Sequence, residues 1–127
     1  MYVSCWPRRE RDRDVGGGVL KTENGGMSWK QVFDERIRVN AAGMEPGNPE
    51  VLYINTFHNA AYRTDDAGKS WKRVEGYRFK WGQKAVPDVN HPGMLFLTTY
   101  GGSVYYGPAK GTKGAFEDIE NMPKGWW

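Results

Sequence analysis

One eight-residue pattern occurs twice in this chain and constrains its fold more than any other feature. The copies are residues 22–29 and 64–71, which start 42 positions apart, and we call them box 1 and box 2. Their shared members are Thr22, Asn24, Gly26, Ser28 and Trp29, and Thr64, Asp66, Gly68, Ser70 and Trp71. The pattern predicts a tight turn, because an Asp or Asn side chain folds back onto nearby backbone N–H groups. Each Trp is expected to start a strand and to bury a large surface.

The flanks of the boxes repeat as well. Residues 1–6, 52–57 and 95–100 align with one another, and each is followed by a turn and a second strand-like run, at 18–21, 60–63 and 103–106. The period is 42 to 43 residues. A period of this length with about four strand-like runs per unit is typical of a β-propeller blade.

The repeat predicts four antiparallel strands per unit. The expected first strands are 36–44 and 80–86, the second 51–57 and 94–100, the third 60–63 and 103–106, and the fourth 28–33 and 70–75. The second strands are apolar at nearly every position, which indicates that both of their faces are covered. We expect one domain, 1–127, with units at about 1–34, 35–76 and 77–120 and a tail at 121–127.

The two boxes and the strands around them resemble the Asp-box, or BNR, repeat. This repeat occurs in sialidases, xyloglucanase-type glycoside hydrolases, sortilin-type receptors and photosystem II assembly factors. The resemblance covers about residues 1–106 and implies an all-β fold, a partial β-propeller of about three four-stranded antiparallel blades. It also implies that the boxes are structural, and that the parent protein is secreted or in the cell envelope. Box 1 departs from the pattern, because it carries Asn24 where Asp is usual.

The end units are less complete than the middle one. The first unit has no predicted first strand, and the third has only 116–119 as a candidate fourth strand. Two interpretations follow: the chain is the C-terminal segment of a larger propeller, or several copies assemble a closed ring. In both, we expect apolar surface at the ends that associates with further blades or with other copies.

Composition excludes several classes of function. The 127 residues suit one domain, and 17 Gly, 7 Pro, 6 Trp, 7 Tyr and 5 Phe suit short strands joined by turns. The net charge of +3 comes from interspersed charges, so nucleic-acid binding is not expected. A single cysteine excludes an internal disulfide framework. We expect no membrane span, no metal site and no cofactor.

The loops at the end of the blades opposite the boxes supply the candidate ligand residues: Arg8, Arg9, Arg11, Arg13, Asp34, Glu35 and His58. The four arginines lie in an insertion, 7–14, which is either a charged flap that binds an anionic or sugar partner or a solvated loop with local charge pairs. Asp34 and Glu35 are adjacent, so their side chains diverge and are poorly placed for a shared glycosidic bond. His58 has no metal-ligand partners in the sequence.

We therefore expect no catalytic residues in this chain. The sequence favours a non-catalytic scaffold or interaction module within an Asp-box propeller, which binds a glycan or a protein. The alternative is a part of a glycoside hydrolase of the sialidase or xyloglucanase type.

Overall fold

The computed structural model describes residues 1–58, 60–77 and 81–113. These residues form β-strands, turns and bends, and no helix lies among them, so the all-β prediction is confirmed for this part. The strands are β1 (Tyr2–Cys5), β2 (Arg8–Glu10), β3 (Arg13–Val15), β4 (Gly18–Lys21), β5 (Lys30–Phe33), β6 (Val39–Glu45), β7 (Asn48–Thr56), β8 (Ala61–Thr64), β9 (Lys72–Arg73), β10 (Gly82–Pro87), β11 (Met94–Thr99) and β12 (Val104–Pro108).

The strands form three stacked sheets and one small hairpin. Sheet I has the order β1-β4-β5, sheet II has β6-β7-β8-β9, and sheet III has β10-β11-β12. All of their strand pairs are antiparallel, and no sheet closes on itself. The hairpin is β2-β3, between β1 and β4. The candidate fourth strand of the third unit, 116–119, lies outside the described residues.

Several strand boundaries differ from those predicted. The first strand of sheet II begins at Val39 rather than at residue 36, because Arg36 belongs to a turn in which its backbone N–H donates to the Asp34 carboxylate at 2.9 Å. The fourth strand of sheet II is only Lys72–Arg73, because box 2 holds Ser70 in its turn. Residues 7–14 are not a simple loop, since most of them form the β2-β3 hairpin, with Arg11 in the left-handed region at φ 56° in its turn.

Sheet II lies between the other two sheets, and alternate residues of β7 face different neighbours. Val51 and Tyr53 belong to an apolar cluster that reaches Leu95 and Leu97 of sheet III. Ile54 belongs to a second cluster that reaches Val19 of sheet I. The run from Val51 to Thr56 is therefore buried throughout, which explains why its first four residues are apolar without alternation.

A buried amide ties sheet II to sheet III. Asn55 lies on β7 and is fully buried. Its Nδ2 donates to the carbonyls of Lys84, at 2.9 Å, and Thr98, at 3.1 Å, on β10 and β11. These bonds fix the position of sheet III along β7 more precisely than apolar contact does, because hydrogen bonds are directional.

The first strands of sheets II and III approach each other closely at Gly43. A Cβ built on Gly43 of β6 would collide with the Ala85 carbonyl oxygen of β10, which is backbone and has little freedom to move. The glycine therefore allows a backbone-to-backbone distance that a side chain would prevent.

We predict that Gly43→Ala destabilises the protein by about 1–3 kcal/mol, the usual range for overpacking a filled interior. Gly107→Ala is the matched control, because Gly107 also lies in a strand and its added Cβ would meet only the hydroxyl end of Tyr77, at 2.9 Å. Urea unfolding followed by circular dichroism measures both. Equal midpoints for the two variants would contradict the close approach at Gly43.

Candidate functional site

Each box is a turn held by side-chain hydrogen bonds to its own backbone. In box 2, Asp66 Oδ1 accepts from the Ser70 backbone N–H at 2.8 Å, and Asp66 Oδ2 accepts from the Ser70 hydroxyl at 2.5 Å. The Thr64 hydroxyl oxygen accepts from the Gly68 N–H at 2.9 Å. The Thr64 hydroxyl also donates to Asp66 Oδ1 at 2.7 Å, so the carboxylate bonds residues at both ends of the turn.

Box 1 makes the same bonds with an amide. Asn24 Oδ1 accepts from the Ser28 backbone N–H at 2.9 Å, and Asn24 Nδ2 donates to the Ser28 hydroxyl at 2.8 Å. The Thr22 hydroxyl oxygen accepts from the Gly26 N–H at 2.9 Å. The departure from Asp therefore reverses one hydrogen bond, in which the Ser28 hydroxyl now accepts, and leaves the turn unchanged.

The box tryptophans have different environments, and the expectation that both are largely buried is wrong for one of them. Trp71 packs against sheet I, where its Nε1–H donates to the Val32 carbonyl at 2.7 Å and its ring meets Phe33 edge-on. Trp29 occupies the same position in box 1 but is 40% exposed. Trp71 is covered because sheet I precedes it in the stack, whereas the described residues place no sheet against Trp29.

The opposite end of the stack carries a row of aromatic residues. Trp6, Phe57 and Tyr100 follow β1, β7 and β11 at corresponding positions of the repeat. The Phe57 N–H donates to the Arg38 carbonyl at 3.0 Å, and the Tyr100 N–H donates to the Trp81 carbonyl at 2.9 Å. Arg38 and Trp81 are therefore also equivalent, and the five residues line one end of the three sheets.

Arg38 is the centre of this row. Its guanidinium carbon lies 3.4 Å from the centroid of the Trp6 ring and 4.2 Å from that of the Phe57 ring, so the charge is held between two aromatic faces. Its Nε donates to Asn40 Oδ1 at 3.3 Å. The sequence did not point to Arg38, since one arginine in a strand resembles a solvated residue. Its alignment with Trp81 was the available signal.

A cleft of about 530 Å³ adjoins Arg38, and it brings together some of the predicted ligand residues. Its lining residues are Pro7, Asp14, Asp34, Arg36, Ile37, Arg38 and His58. Of the predicted set, Asp34 and His58 line the cleft, and the His58 ring meets Phe57 edge-on at 4.6 Å between centroids. Glu35 and the four hairpin arginines do not line it. A larger cleft, of about 630 Å³, lies between the two boxes and includes Trp29.

Two of the four hairpin arginines pair with carboxylates of the same hairpin. Arg8 pairs with Glu10 at 3.6 Å, and Arg9 pairs with Asp14 at 3.4 Å. These are exposed pairs and contribute little to stability. Within the described residues, Arg11 and Arg13 make no ion pair. The geometry thus favours the solvated, locally paired interpretation for Arg8 and Arg9, on a hairpin whose base reaches the cleft.

The adjacent carboxylates of Asp34 and Glu35 both accept hydrogen bonds from neighbouring groups. Arg36 Nη2 donates to Asp34 Oδ2 at 2.6 Å, and its Nε donates to Oδ1 at 2.9 Å. This side-chain bonding lowers the pKa of Asp34 below its ordinary value of 3.8. Glu35 Oε2 accepts from the Gly16 N–H at 3.3 Å. A general acid needs a raised pKa, so Asp34 is unsuited to that role.

The described part of the chain contains no group of three or more His, Cys, Asp or Glu side chains that could hold a metal ion. It also contains no helix of the length and apolar character that crossing a membrane requires.

In comparisons with protein families, with curated proteins and with solved structures, the chain has no match.

We predict that Asp66→Asn leaves the fold intact and removes a component of its acid sensitivity. Hydrogen bonds from Ser70, first from its hydroxyl and then from its backbone, lower the pKa of Asp66 from 3.8 to about 2. Because the folded pKa is the lower one, the stabilisation from these bonds is present above about pH 4 and is lost as the pH falls through about 2. Asn keeps the turn, as Asn24 does in box 1.

Thermal unfolding between pH 6 and pH 2 tests this prediction. The midpoints of wild type and Asp66→Asn should converge as the pH falls, whereas Asp66→Ala should be less stable than both near neutrality. Asp65→Ala is the control, because the Asp65 carboxylate is 52% exposed and pairs with the Arg63 guanidinium at 2.5 Å. If Asp65→Ala and Asp66→Ala unfold at the same midpoint, the carboxylate of Asp66 does not organise box 2.

Proposed function

We propose that this chain is a non-catalytic interaction module of the Asp-box propeller type, which binds an acidic glycan at the end of the stack opposite the boxes. Two boxes, each holding a tight turn, and three antiparallel sheets stacked face to face support the propeller assignment. Under this proposal the parent protein is secreted or in the cell envelope, as the resemblance implies.

The observation that carries the ligand proposal is the stack of Trp6, Arg38 and Phe57 beside the cleft. The outer ring, Trp6, is 56% exposed, and an exposed aromatic face suits the apolar side of a sugar ring. Arg38 is held between the rings and makes no ion pair with the residues that the structure describes, so we infer that its charge can meet the carboxylate or sulfate of an acidic sugar. A rigid site of this kind loses little conformational freedom when a ligand binds.

The hydrogen bonds of Asp34 and Glu35 favour binding over hydrolysis. Asp34 is bound by Arg36 through two side-chain hydrogen bonds, and Glu35 points to Gly16 on the hairpin side. A glycosidase needs two carboxyl groups across one bond, one of them protonated at the working pH. For the alternative, part of a sialidase- or xyloglucanase-type hydrolase, the carboxylates that line the cleft are those of Asp14 and Asp34, and the pKa of Asp34 is lowered rather than raised.

We predict that Arg38→Gln weakens the binding of sialylated, uronic or sulfated oligosaccharides by about tenfold or more, because a charge-assisted hydrogen bond is lost. Arg13→Gln is the matched control: it removes the same charge from an exposed hairpin residue that makes no ion pair within the described part. Isothermal titration calorimetry at low and high salt measures the affinity, which should fall as salt screens the charges.

Neutral oligosaccharides should bind more weakly than acidic ones of the same length. Equal affinity for both, or unchanged affinity in Arg38→Gln, would contradict the assignment of this arginine. Binding of an acidic peptide in preference to every glycan would replace the glycan with a protein as the ligand.

We also predict no turnover of aryl glycosides or sialosides by the purified chain. The assay compares wild type with Asp34→Asn, at a residue that lines the cleft, and with Glu35→Gln, at its neighbour in the chain. Hydrolysis above background that disappears in either variant would show that the chain is catalytic.

A further inference from the structure

Two cations stand directly opposite each other in sheet I, and two more do so at the equivalent place in sheet II. The register of β4 and β5 pairs Lys21 with Lys30. The register of β8 and β9 pairs Arg63 with Lys72. Like charges that face each other across two strands destabilise a sheet. The repeat thus keeps the same unfavourable pair beside both boxes.

One cation of each pair is bound by a carboxylate of the neighbouring box. The Lys21 ammonium lies 2.6 Å from the Glu23 carboxylate. In sheet II, the Arg63 guanidinium lies 2.5 Å from the Asp65 carboxylate. The opposite cations, on the edge strands β5 and β9, are exposed and make no ion pair with any residue that the structure describes. Each box therefore supplies one carboxylate for two cations.

The pair in sheet I opens onto the cleft of about 630 Å³, which we call box cleft 1. It lies at the junction of sheets I and II, where Lys69 of box 2 lines it together with Lys21 and Lys30. The hydrogen bond from Lys21 lowers the pKa of Glu23 below its ordinary value, and the charges of Lys30 and Lys69 act in the same direction. One carboxylate thus faces three ammonium groups, and the charged residues that line the cleft sum to +2.

A second cleft, of about 520 Å³, lies at the equivalent place one repeat further on, and we call it box cleft 2. The Thr112 N–H donates to the Glu75 carbonyl at 3.0 Å, which holds the turn after β12 against the edge of sheet II. Four cations and two carboxylates line this cleft, so its charge is also +2. They are Arg63, Asp65, Lys72, Arg73, Glu75 and Lys110.

Two clefts of the same charge, one repeat apart, favour a ligand that carries anionic groups along a chain. Stacked sheets lie roughly 10 Å apart, so one chain can reach both clefts. The exposed carboxylates of Glu23 and Asp65 would repel the closely spaced phosphates of a nucleic acid, but they can accept hydrogen bonds from hydroxyl groups. Trp29 lines box cleft 1, is 40% exposed and offers aromatic surface to a sugar ring.

We propose that the two box clefts together bind one chain of an acidic polysaccharide, away from the Arg38 site and independently of it. Acidic groups of the chain meet Lys30 and Lys69 in box cleft 1, and Lys72 and Lys110 in box cleft 2. They offset the repulsion within each cation pair, while hydroxyl groups donate to the box carboxylates. Two weak sites on one ligand give a higher affinity than either site alone, without any new contact.

Calorimetric titration of the full chain with heparin oligosaccharides tests the proposal, in wild type and in Arg38→Gln. A dodecasaccharide, which can reach both clefts, should bind about tenfold or more tightly than a disaccharide in both proteins. Removing two charges from box cleft 1, with Lys30→Gln and Lys69→Gln together, should abolish most of this advantage. Removing two from box cleft 2, with Lys72→Gln and Lys110→Gln, should do the same.

Arg11→Gln combined with Arg13→Gln is the matched control, because it removes two exposed charges from the β2-β3 hairpin, and it should keep the advantage of the longer ligand. Thermal unfolding guards against misfolded variants. Without ligand, Lys30→Gln and Lys72→Gln relieve the repulsion in each pair, so their midpoints should equal or exceed that of wild type. With the dodecasaccharide, wild type should gain more than either variant.

Several results would overturn the proposal. They are an affinity that does not depend on the length of the oligosaccharide, unchanged binding in both cleft variants, and a length advantage that disappears in Arg38→Gln. Tighter binding of a DNA duplex of equal charge would also overturn it, because the ligand would then be a nucleic acid. The variants that lack the charges of a box cleft retain Arg38, so the failure of one site does not imply the failure of the other.

Discussion

The burial of β7 on both faces is the constraint on which the rest of the structure depends. A strand covered on one side needs only one neighbouring sheet, whereas β7 places Tyr53 and Ile54 in two different apolar clusters. Two sheets must therefore lie against sheet II, one on each side. The spacing of the repeat predicts which strands those sheets contain, because corresponding positions of each unit face the preceding sheet or the following sheet.

The boxes help to define the direction in which the sheets stack. A turn held by Asp66 or Asn24 fixes the residue that starts the fourth strand, and in box 2 that residue, Trp71, reaches back to the preceding sheet. The turn itself is local, because it closes within eight residues. The Trp71 indole, in contrast, donates to a carbonyl 39 residues away in the sequence. Gly68 packs directly on the side chain of Val32, which adds a second contact to the same strand.

Much of the fold was predictable from the sequence, because a strand predicted in one unit supports the same prediction in the units that align with it. Strands β7 and β8 followed from their alignment with β11 and β12, and the box hydrogen bonds followed from side-chain length alone. The exposure of Trp29 was not predictable, since its sequence context matches that of Trp71 and only the neighbouring sheet differs. The β2-β3 hairpin was missed because alternating arginine and carboxylate residues look like a solvated loop.

The candidate ligand site was predicted less well, for a physical reason. The sequence favoured charged residues of one loop as ligand residues, but Arg8 and Arg9 form ion pairs with Glu10 and Asp14. The better placed arginine, Arg38, stands just before the start of a strand and is recognisable only by the rings on either side of it. Sites built from the ends of several strands are dispersed in sequence, and a single chain read in order does not bring them together.

The row of residues at the end of the sheets lies at the junctions between sheets and also forms the proposed ligand site. At the junction of sheets I and II the position beside Phe57 is Arg38, and at the junction of II and III the equivalent position is Trp81, with φ 58°. Of the two junctions between the described sheets, only the one between sheets I and II therefore carries the charge. An acidic ligand bound as proposed would place its charged group at Arg38 and its remaining units against the aromatic surface of the row.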